Sequence, residues 1–454
     1  MTIVESGSIA LLSGSLSYWL KTAVRSMFSK RVTDRSSQCV DDSMSYSTLK
    51  GAHVMKNLTL SLIPLLLLAI HPRVSPAQEG HNSTPVGEGT SGNGLEMQSA
   101  RAKGLTVKGH QIAYTKKYDL SGLPEYKPKH QVTGTIRIWG SNYIADGMIG
   151  QLWDEEFRKY HPDAHIEWHM KTTEAAVPSL VFGVSDMGIG RKLTFSELQL
   201  YQRYKDRDPV EIELATGSYD VTGWQPAFGV IVSKDNPIQH ISMEQLDGIF
   251  GAERDGGWEG TSWHSEWSRG SDKNIRTWGQ LGLTGEWADK PIHVYGLNVR
   301  YHQATELSDW IIKGSDKWNE NLHTYANYVG KDGQLSRNMN EDIVNDKYGI
   351  GIVAAPTKAI APGKGKLLDL GWTNAGPFVP YTMDNLQNRT YPMFDRIYAY
   401  TDETNGATNR NVAELLRFIV SRQGQELIEK DGKYLPLNAE AARAQLIKLD
   451  ALEK

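Results

Sequence analysis

The sequence has almost no cysteine, since Cys39 is the only one in 454 residues. One cysteine forms no internal disulfide and builds no metal site of several thiolates. The chain after Cys39 also lacks the cysteine through which exported lipoproteins are anchored. A cysteine-free chain suits the bacterial periplasm, where thiols are oxidised.

Long apolar runs are missing as well. The longest, 58–70, has thirteen residues, whereas a membrane-spanning helix needs about 20. The positively charged Met55-Lys56-Asn57 precedes this run, and the small-residue segment Val74-Ser75-Pro76-Ala77 follows it. This order is typical of a secretory signal peptide. We therefore predict a signal peptide at 55–77 and a released, periplasmic protein.

Residues 1–54 precede this signal and are rich in serine without clear periodicity. Signal peptides are read at the N-terminus. We expect that translation starts at Met55 and that 1–54 is a mis-assigned extension. The alternative is a genuine segment of unknown role.

Positive charge is not in excess: the formal net charge is −4, and it is −8 for residues 78–454. An acidic chain is a poor candidate for binding nucleic acid. No Gly-x-Ser-x-Gly or His-Glu-x-x-His motif and no cluster of metal-ligating residues occurs. We expect no catalytic residues, metal or cofactor, and an exported hydrolase is the least favoured reading.

The length after the signal peptide, 377 residues, exceeds the roughly 250–300 residues that one hydrophobic core serves. We therefore expect two domains. Residues 78–132 are rich in Gly, Ser and Lys and predict a flexible leader, with a possible short strand at 111–114.

From Gly134 onwards, strands alternate with helices, which indicates βαβ units and a parallel sheet. Residues 242–245 predict an N-cap with its capping-box partner. The predicted strands are 134–139, 164–169, 184–189, 227–232, 292–297, 348–353, 367–370 and 396–400, and the predicted helices are 145–160, 174–182, 242–250, 304–312, 411–420, 423–430 and 440–449.

Four features are similar to one known family. They are the order of these elements, the segment Lys-Asp-Asn-Pro at 234–237, the helix ISMEQLDGIFGAE at 241–253 and the ending LLRFIVSRQGQELIEKDGKYLPL at 415–437. The chain resembles the periplasmic phosphate-binding proteins of phosphate ABC transporters, within the type II periplasmic substrate-binding superfamily. The resemblance covers about 133–437.

The resemblance implies a two-domain α/β fold in which each domain is a mostly parallel sheet flanked by helices. Domain 1 would be 133–231 and 391–454, and domain 2 would be 232–390. Two crossing strands, near Gly229–Ser233 and Tyr391–Tyr398, would join them. It also implies a monomer that captures a small anionic ligand in the interdomain cleft and delivers it to the permease of an ABC transporter in the inner membrane.

The resemblance also implies ligand contacts from helix starts and hydroxyl donors, because both present N–H or O–H groups to an anion. Three positions in domain 1 match the family's binding loops, and a cation follows the third. These candidate ligand-binding residues are Ser141 and Asn142, Thr172 and Thr173, Asp186 as the expected acceptor at the end of the third strand, and Arg191.

The fourth element departs from the family, which has Arg-Ser-Asp-x-Ser-Gly-Thr there. The corresponding stretch, 295–302, lacks the Ser-Gly-Thr donors, so orthophosphate itself is in doubt. Asn298 and Arg300, with Tyr301 and His302, are the candidate ligand-binding residues of this stretch, since guanidinium pairs well with oxyanions.

Several of these candidates also have a structural explanation. Ser141, Thr172 and Thr173 could be helix caps, Asp186 a turn former, and Arg300 a surface ion-pair residue. The tryptophan-rich insertion 253–290 could be a sugar-stacking surface or local packing in a long loop. The alternative function is therefore binding of another small ligand, a carboxylate or a sugar.

Overall fold

The computed structural model of the protein describes residues 110–221, 223–299, 301–325, 335–404 and 407–452. The predicted extension 1–54 and the predicted signal peptide 55–77 lie outside the described residues. None of the helices in the described ranges combines the length and the apolar composition that crossing a lipid bilayer requires.

The strands of the described chain are mostly short. In chain order they are β1 (Gly134–Gly140), β2 (Ala164–His169), β3 (Met187–Gly190), β4 (Val210–Thr216), β5 (Phe228–Ser233), β6 (His240–Ser242), β7 (Gly257–Glu259), β8 (Ser262–His264), β9 (His293–Leu297), β10 (His323–Tyr325), β11 (Gly349–Ala354), β12 (Gly365–Leu367), β13 (Asp369–Gly371), β14 (Arg396–Thr401), β15 (Glu403–Thr404) and β16 (Ala407–Thr408).

The helices alternate with these strands until the C-terminal part, which is helical. They are α1 (Asn142–Asp146), α2 (Ile149–Tyr160), α3 (Ala176–Val181), α4 (Phe195–Lys205), α5 (Met243–Phe250), α6 (His302–Ile312), α7 (Leu335–Asn345), α8 (Pro356–Ala359), α9 (Met383–Gln387), α10 (Arg410–Val420), α11 (Arg422–Asp431) and α12 (Ala439–Ala451).

Two five-stranded sheets organise the molecule, and they share one pattern. The strand orders are β2-β1-β3-β14-β4 and β10-β9-β11-β5-β12. In each sheet the first three strands are parallel, and the fourth runs antiparallel to both of its neighbours. Each sheet has its own hydrophobic core. The predicted two-domain α/β fold is confirmed, and we call the two halves the first and second lobes.

The chain passes twice between the lobes, but the first crossing differs from the prediction. Gly229–Ser233 lies inside β5, which belongs to the second sheet. The described residues of the first crossing are instead 217–221 and 223–227, and those of the second are 392–395. The Gly217 main-chain N–H donates to the Asp395 carbonyl at 2.7 Å. The second crossing lies within the predicted range 391–398, and β14 then returns to the first sheet.

The predicted flexible leader is wrong for residues 110–131, which pack on both lobes. Tyr126 is buried, and its hydroxyl lies 2.6 Å from the His161 ring and 2.7 Å from the Glu414 carboxylate. No strand forms at 111–114 in the described structure; the N–H groups of residues 113 and 114 donate to the Gly432 carbonyl instead. Buried aromatic side chains in this segment outweigh its polar composition.

Candidate functional site

The candidate site of the first lobe lies where β1, β2 and β3 end together. Because these strands are parallel, their carboxyl ends share one edge of the sheet. The Ser141 N–H donates to the Ile189 carbonyl at 2.8 Å. The Thr173 methyl group packs against Gly190: a Cβ added to Gly190 would lie 2.7 Å from that methyl carbon. Arg191 follows directly, so this edge brings Ser141, Thr173 and Arg191 together.

Neither serine nor threonine acts as a side-chain cap at this edge. Ser141 precedes α1 and Thr172 precedes the short 3₁₀ turn Thr173–Ala175, yet neither hydroxyl caps its helix. The Thr172 hydroxyl donates to the Glu174 carboxylate, and the Asn142 amide donates to Asp146 at 2.8 Å. Among the four hydroxyl and amide side chains at these positions, Ser141 is the most buried, at 7% exposure.

Arg191 is the buried cation of the edge, with 5% of its surface exposed. Its guanidinium donates two hydrogen bonds to Glu197, at 2.8 and 3.2 Å, and one to the Lys192 carbonyl at 3.0 Å. Glu174 lies 3.9 Å away. The Nε–H of Arg191 is buried and has no partner among the described residues. A buried guanidinium with an unused N–H is the kind of donor that an oxyanion oxygen accepts from.

The second lobe contributes the start of α6. Asn298 follows β9, and its N–H donates to the Tyr325 carbonyl at 3.3 Å. Burial first, and then the charge of Arg191, lower the pKa of His302 to about 4. His302 is therefore a neutral imidazole at physiological pH, and the charges of Arg191 and Glu174 both act on it. Arg300 lies outside the described residues.

Two acidic side chains lie beneath these groups, and both are buried. Glu306, one turn further along α6, and Asp395, in the second crossing, are 5% and 3% exposed. The amide of Gln225, in the first crossing, donates to Asp395 at 3.1 Å and to Glu306 at 3.4 Å. Burial raises the pKa of Asp395 to about 7. Burial, and next the Asp395 charge, raise the pKa of Glu306 well above its ordinary value.

The expected position of Asp186 is wrong. It precedes β3 instead of ending it, because the strand covers Met187–Gly190 and starts three residues later than predicted. Since β3 is parallel to β1, Asp186 lies at the opposite edge of the sheet from Ser141 and Arg191. Its carboxylate binds the Arg137 guanidinium at 2.8 and 3.1 Å. Burial alone would raise the pKa of Asp186, but Arg137 holds it below its ordinary value.

Known proteins are similar to this chain in sequence. A family model described as a PBP superfamily domain matches residues 127–423, well over half of the chain. The chain belongs to the PBP superfamily. A phosphate-binding protein PstS of Pseudomonas aeruginosa is 29% identical over 331 residues, which cover 72% of this chain and 90% of the relative.

Two solved structures that are similar to this PBP chain are of proteins whose names refer to phosphate. A possible phosphate-binding protein from Planctomyces limnophilus is 19% identical, with 71% of this chain and 100% of that chain covered and a TM-score of 0.39. An ABC-type phosphate transport receptor from Vibrio cholerae is 18% identical, with 66% and 99% covered and a TM-score of 0.40. Both TM-scores are low, so the assignment of the PBP fold rests on the family match and on the chain's own two sheets.

Several residues of the candidate site were not predicted from the sequence. Glu197 and Glu306 lie in helices and Gln225 and Asp395 lie in the crossings, and polar residues in such positions are usually solvated. A signal for Glu197 was present, because Thr194 and Glu197 have the spacing of a capping box, and both of its hydrogen bonds form.

The tryptophan-rich insertion of this PBP chain packs locally at its far end. Trp278 and Trp287 are buried in the second core, with ring centres 6.1 Å apart. Trp258 and Trp263 instead lie in the hairpin formed by β7 and β8, where Trp263 is 49% exposed. Local packing therefore accounts for part of the insertion.

Substituting Asp186 with asparagine is expected to leave the affinity for an anion bound at Arg191 within about twofold of the wild-type value, because this residue lies at the sheet edge away from Arg191. Its pair with the 41% exposed Arg137 should add at most about 1 kcal/mol to stability. Calorimetric titration and urea unfolding measure the two effects. A loss of affinity with unchanged stability would restore the ligand role first expected for Asp186.

Proposed function

We propose that this PBP protein is an exported solute-binding protein that captures phosphate or a related oxyanion between its lobes. The observation that carries the proposal is the meeting of Arg191, from the first lobe, with the start of α6, from the second. The Gln225 amide, in the first crossing, links Glu306 of α6 to Asp395 of the second crossing at 3.4 and 3.1 Å, and the charges of Arg191 and Glu174 both act on the pKa of His302. Ligands of open α/β sheets bind outside the carboxyl ends of the strands, and both lobes direct those ends to this meeting point.

The relative supports phosphate as the ligand class. The Pseudomonas aeruginosa protein is called phosphate-binding, and similarity to this chain extends over 90% of its length. In this chain, the Ser141 hydroxyl, the unused Nε–H of Arg191 and the neutral His302 ring are donors for an oxyanion. Glu174 and Glu197 are acceptors, which favour an anion that still carries a proton. This acceptor role replaces the one first expected for Asp186.

Delivery to a membrane transporter follows from the same proposal. The predicted signal peptide at 55–77 would export the protein to the periplasm. There it would hand its ligand, as a monomer, to the permease of an ABC transporter in the inner membrane. Binding requires lobe closure and release requires opening, and no chemical turnover takes place.

A second candidate ligand is a carboxylate or a neutral sugar. Glu197 already accepts two hydrogen bonds from Arg191, and the Ser-Gly-Thr donors are absent from 295–302. These acidic neighbours disfavour a ligand with two full negative charges.

Calorimetric titration of the purified protein decides between the two. Inorganic phosphate, sulfate, molybdate and a phosphonate form one series, and a monocarboxylate and a monosaccharide form the other. We expect saturable heat with phosphate. Binding heat only in the second series would support the alternative. The absence of binding heat with every anion of the first series would contradict the proposal.

A further inference from the structure

The hairpin formed by β7 and β8 connects the two lobes at a place other than the crossings. The ring of Trp258, in β7, meets the ring of Phe195, at the start of α4, with centroids 5.3 Å apart and planes at 66°. At the hairpin turn, the Gln202 amide donates to the Thr261 hydroxyl at 2.7 Å. Gly260 approaches Leu198 so closely that a Cβ would lie 2.9 Å from it.

The hairpin is fixed to the second lobe. The main-chain N–H of Trp258 donates to the main-chain carbonyl of Lys313, the residue directly after α6, at 2.7 Å. Before the hairpin, the Arg254 guanidinium binds both carboxylate oxygens of Asp247, in α5, at 2.6 and 2.7 Å. The main chains of Arg254 and Arg269 pair and close the base. The hairpin must therefore move with α5 and α6.

Helix α4, which the hairpin contacts, is equally fixed to the first lobe. Tyr201 is fully buried in a cluster with α3 and β14. Its hydroxyl donates to Asp402 at 2.6 Å. The contact between hairpin and helix is thus a contact between two separately anchored bodies.

Both anchoring helices also carry candidate ligand residues. Glu197, in the first turn of α4, holds Arg191, and Phe195 in the same turn touches the hairpin. Helix α6 begins with His302 in the site and ends next to Lys313, which holds the hairpin. Opening the cleft would therefore separate Arg191 from His302 and, at the same time, Phe195 from the hairpin.

The contact is small enough to be reversible. Phe195 remains 41% exposed in it, and it comprises one aromatic pair, one hydrogen bond and one aliphatic contact. An edge-to-face ring pair and a neutral hydrogen bond are each weak interactions that thermal motion breaks readily.

We propose that the hairpin Gly257–His264 is a clasp that holds the lobes closed over the bound ligand and sets the rate of ligand release. The proposal rests on the proposed function, because it assigns the control of release from the same site. The clasp adds a noncovalent contact to the two covalent crossings, so that a closed cleft opens only after the clasp has separated.

The test is the dissociation of radiolabelled inorganic phosphate from the full chain, chased with unlabelled phosphate. Trp258→Ala should speed dissociation about tenfold, and Gln202→Ala about threefold, with association changed much less. Trp372→Ala is the matched control, since Trp372 is a 55% exposed tryptophan outside the hairpin. It should leave both rates unchanged.

A double-mutant cycle isolates the contact. If Phe195 and Trp258 act through each other, the double alanine variant should release phosphate no faster than Trp258→Ala alone. Additive effects would overturn the proposal. So would wild-type dissociation in Trp258→Ala and Gln202→Ala variants that remain folded by circular dichroism. Gln202 lies on α4, so its variant tests the clasp even if Trp258→Ala disturbs the hairpin.

Failure of the clasp and failure of the ligand proposal are distinguishable. If wild-type protein binds no phosphate, the proposed function fails, and the clasp is tested by X-ray scattering without ligand. The Trp258→Ala variant should then have a larger radius of gyration than the wild type and the Trp372→Ala control. Equal radii would overturn the clasp.

Discussion

Substituting Arg191 with methionine should weaken phosphate binding by about 100-fold, which corresponds to the loss of charge-assisted hydrogen bonds worth about 3 kcal/mol. Methionine has a similar length but no charge and no N–H. It leaves Glu197, Glu174 and Asp395 without the cation that pairs with the first two and acts on the third. Calorimetric titration with phosphate measures the change.

The same substitution should also destabilise the fold, because breaking a partly buried ion pair by removing one partner costs about 3–5 kcal/mol. Urea unfolding must therefore accompany the titration, to show that the variant is folded at the temperature used. Arg191→Lys keeps the charge without the fork geometry, and we expect it to recover part of the affinity.

Arg137→Met is the matched control for Arg191→Met. Arg137 also forms a two-bond pair with a carboxylate, that of Asp186, but at the other edge of the same sheet. We expect its phosphate affinity to match the wild type. If Arg191→Met and Arg137→Met bound phosphate equally well, Arg191 would not be a ligand contact.

Phosphate affinity should fall as the pH rises from about 6 to about 8, by about tenfold. The pKa of Asp395 is raised by burial to about 7, and that of Glu306 is raised in the same direction. Below this range Asp395 is neutral. As the pH passes through it Asp395 ionises, and negative charge appears near Arg191, where it repels a bound anion.

A variant separates this effect from the titration of phosphate itself. Glu306→Gln combined with Asp395→Asn keeps two neutral, hydrogen-bonding side chains at all pH values. Its affinity should change less between pH 6 and 8 than that of the wild type, and the difference between the two slopes belongs to the carboxyl pair. Identical slopes would show that the pair does not act on the ligand.

The raised pKa values of Asp395 and Glu306 also predict how the free energy of unfolding depends on pH. Groups with a raised pKa hold more protons in the folded than in the unfolded chain, so the free energy of unfolding falls as the pH rises. The contribution is complete below the ordinary pKa near 4 and is lost as the pH passes through the folded value near 7. The double variant should lose this decline in a urea-unfolding series.

Much of the fold could be predicted because its strands are apolar and bounded by turns. The buried strands β5 and β11 were predicted within one residue of their observed ends. The capping box at Ser242 and Gln245 forms both of its hydrogen bonds. Helix α4 was missed, because its apolar residues follow no clear helical stripe, and the alternating strand β4 after it was missed with it.

The candidate site was predicted only in part. Ser141, Thr173 and Arg191 meet because three parallel strands end at one edge, which the order of elements already implied. Asp186 was placed at the wrong edge, since it was expected at the end of the third strand, whereas β3 begins one residue after it. Glu306, Gln225 and Asp395 come together only through the crossings and α6, and no local pattern reports such long-range contacts.

A crystal structure of the protein with phosphate tests the central claim most directly. The account predicts density for one oxyanion between the two lobes, within hydrogen-bonding distance of the Arg191 guanidinium and the Ser141 hydroxyl and close to the start of α6. Density elsewhere, or an empty cleft at saturating phosphate, would contradict it.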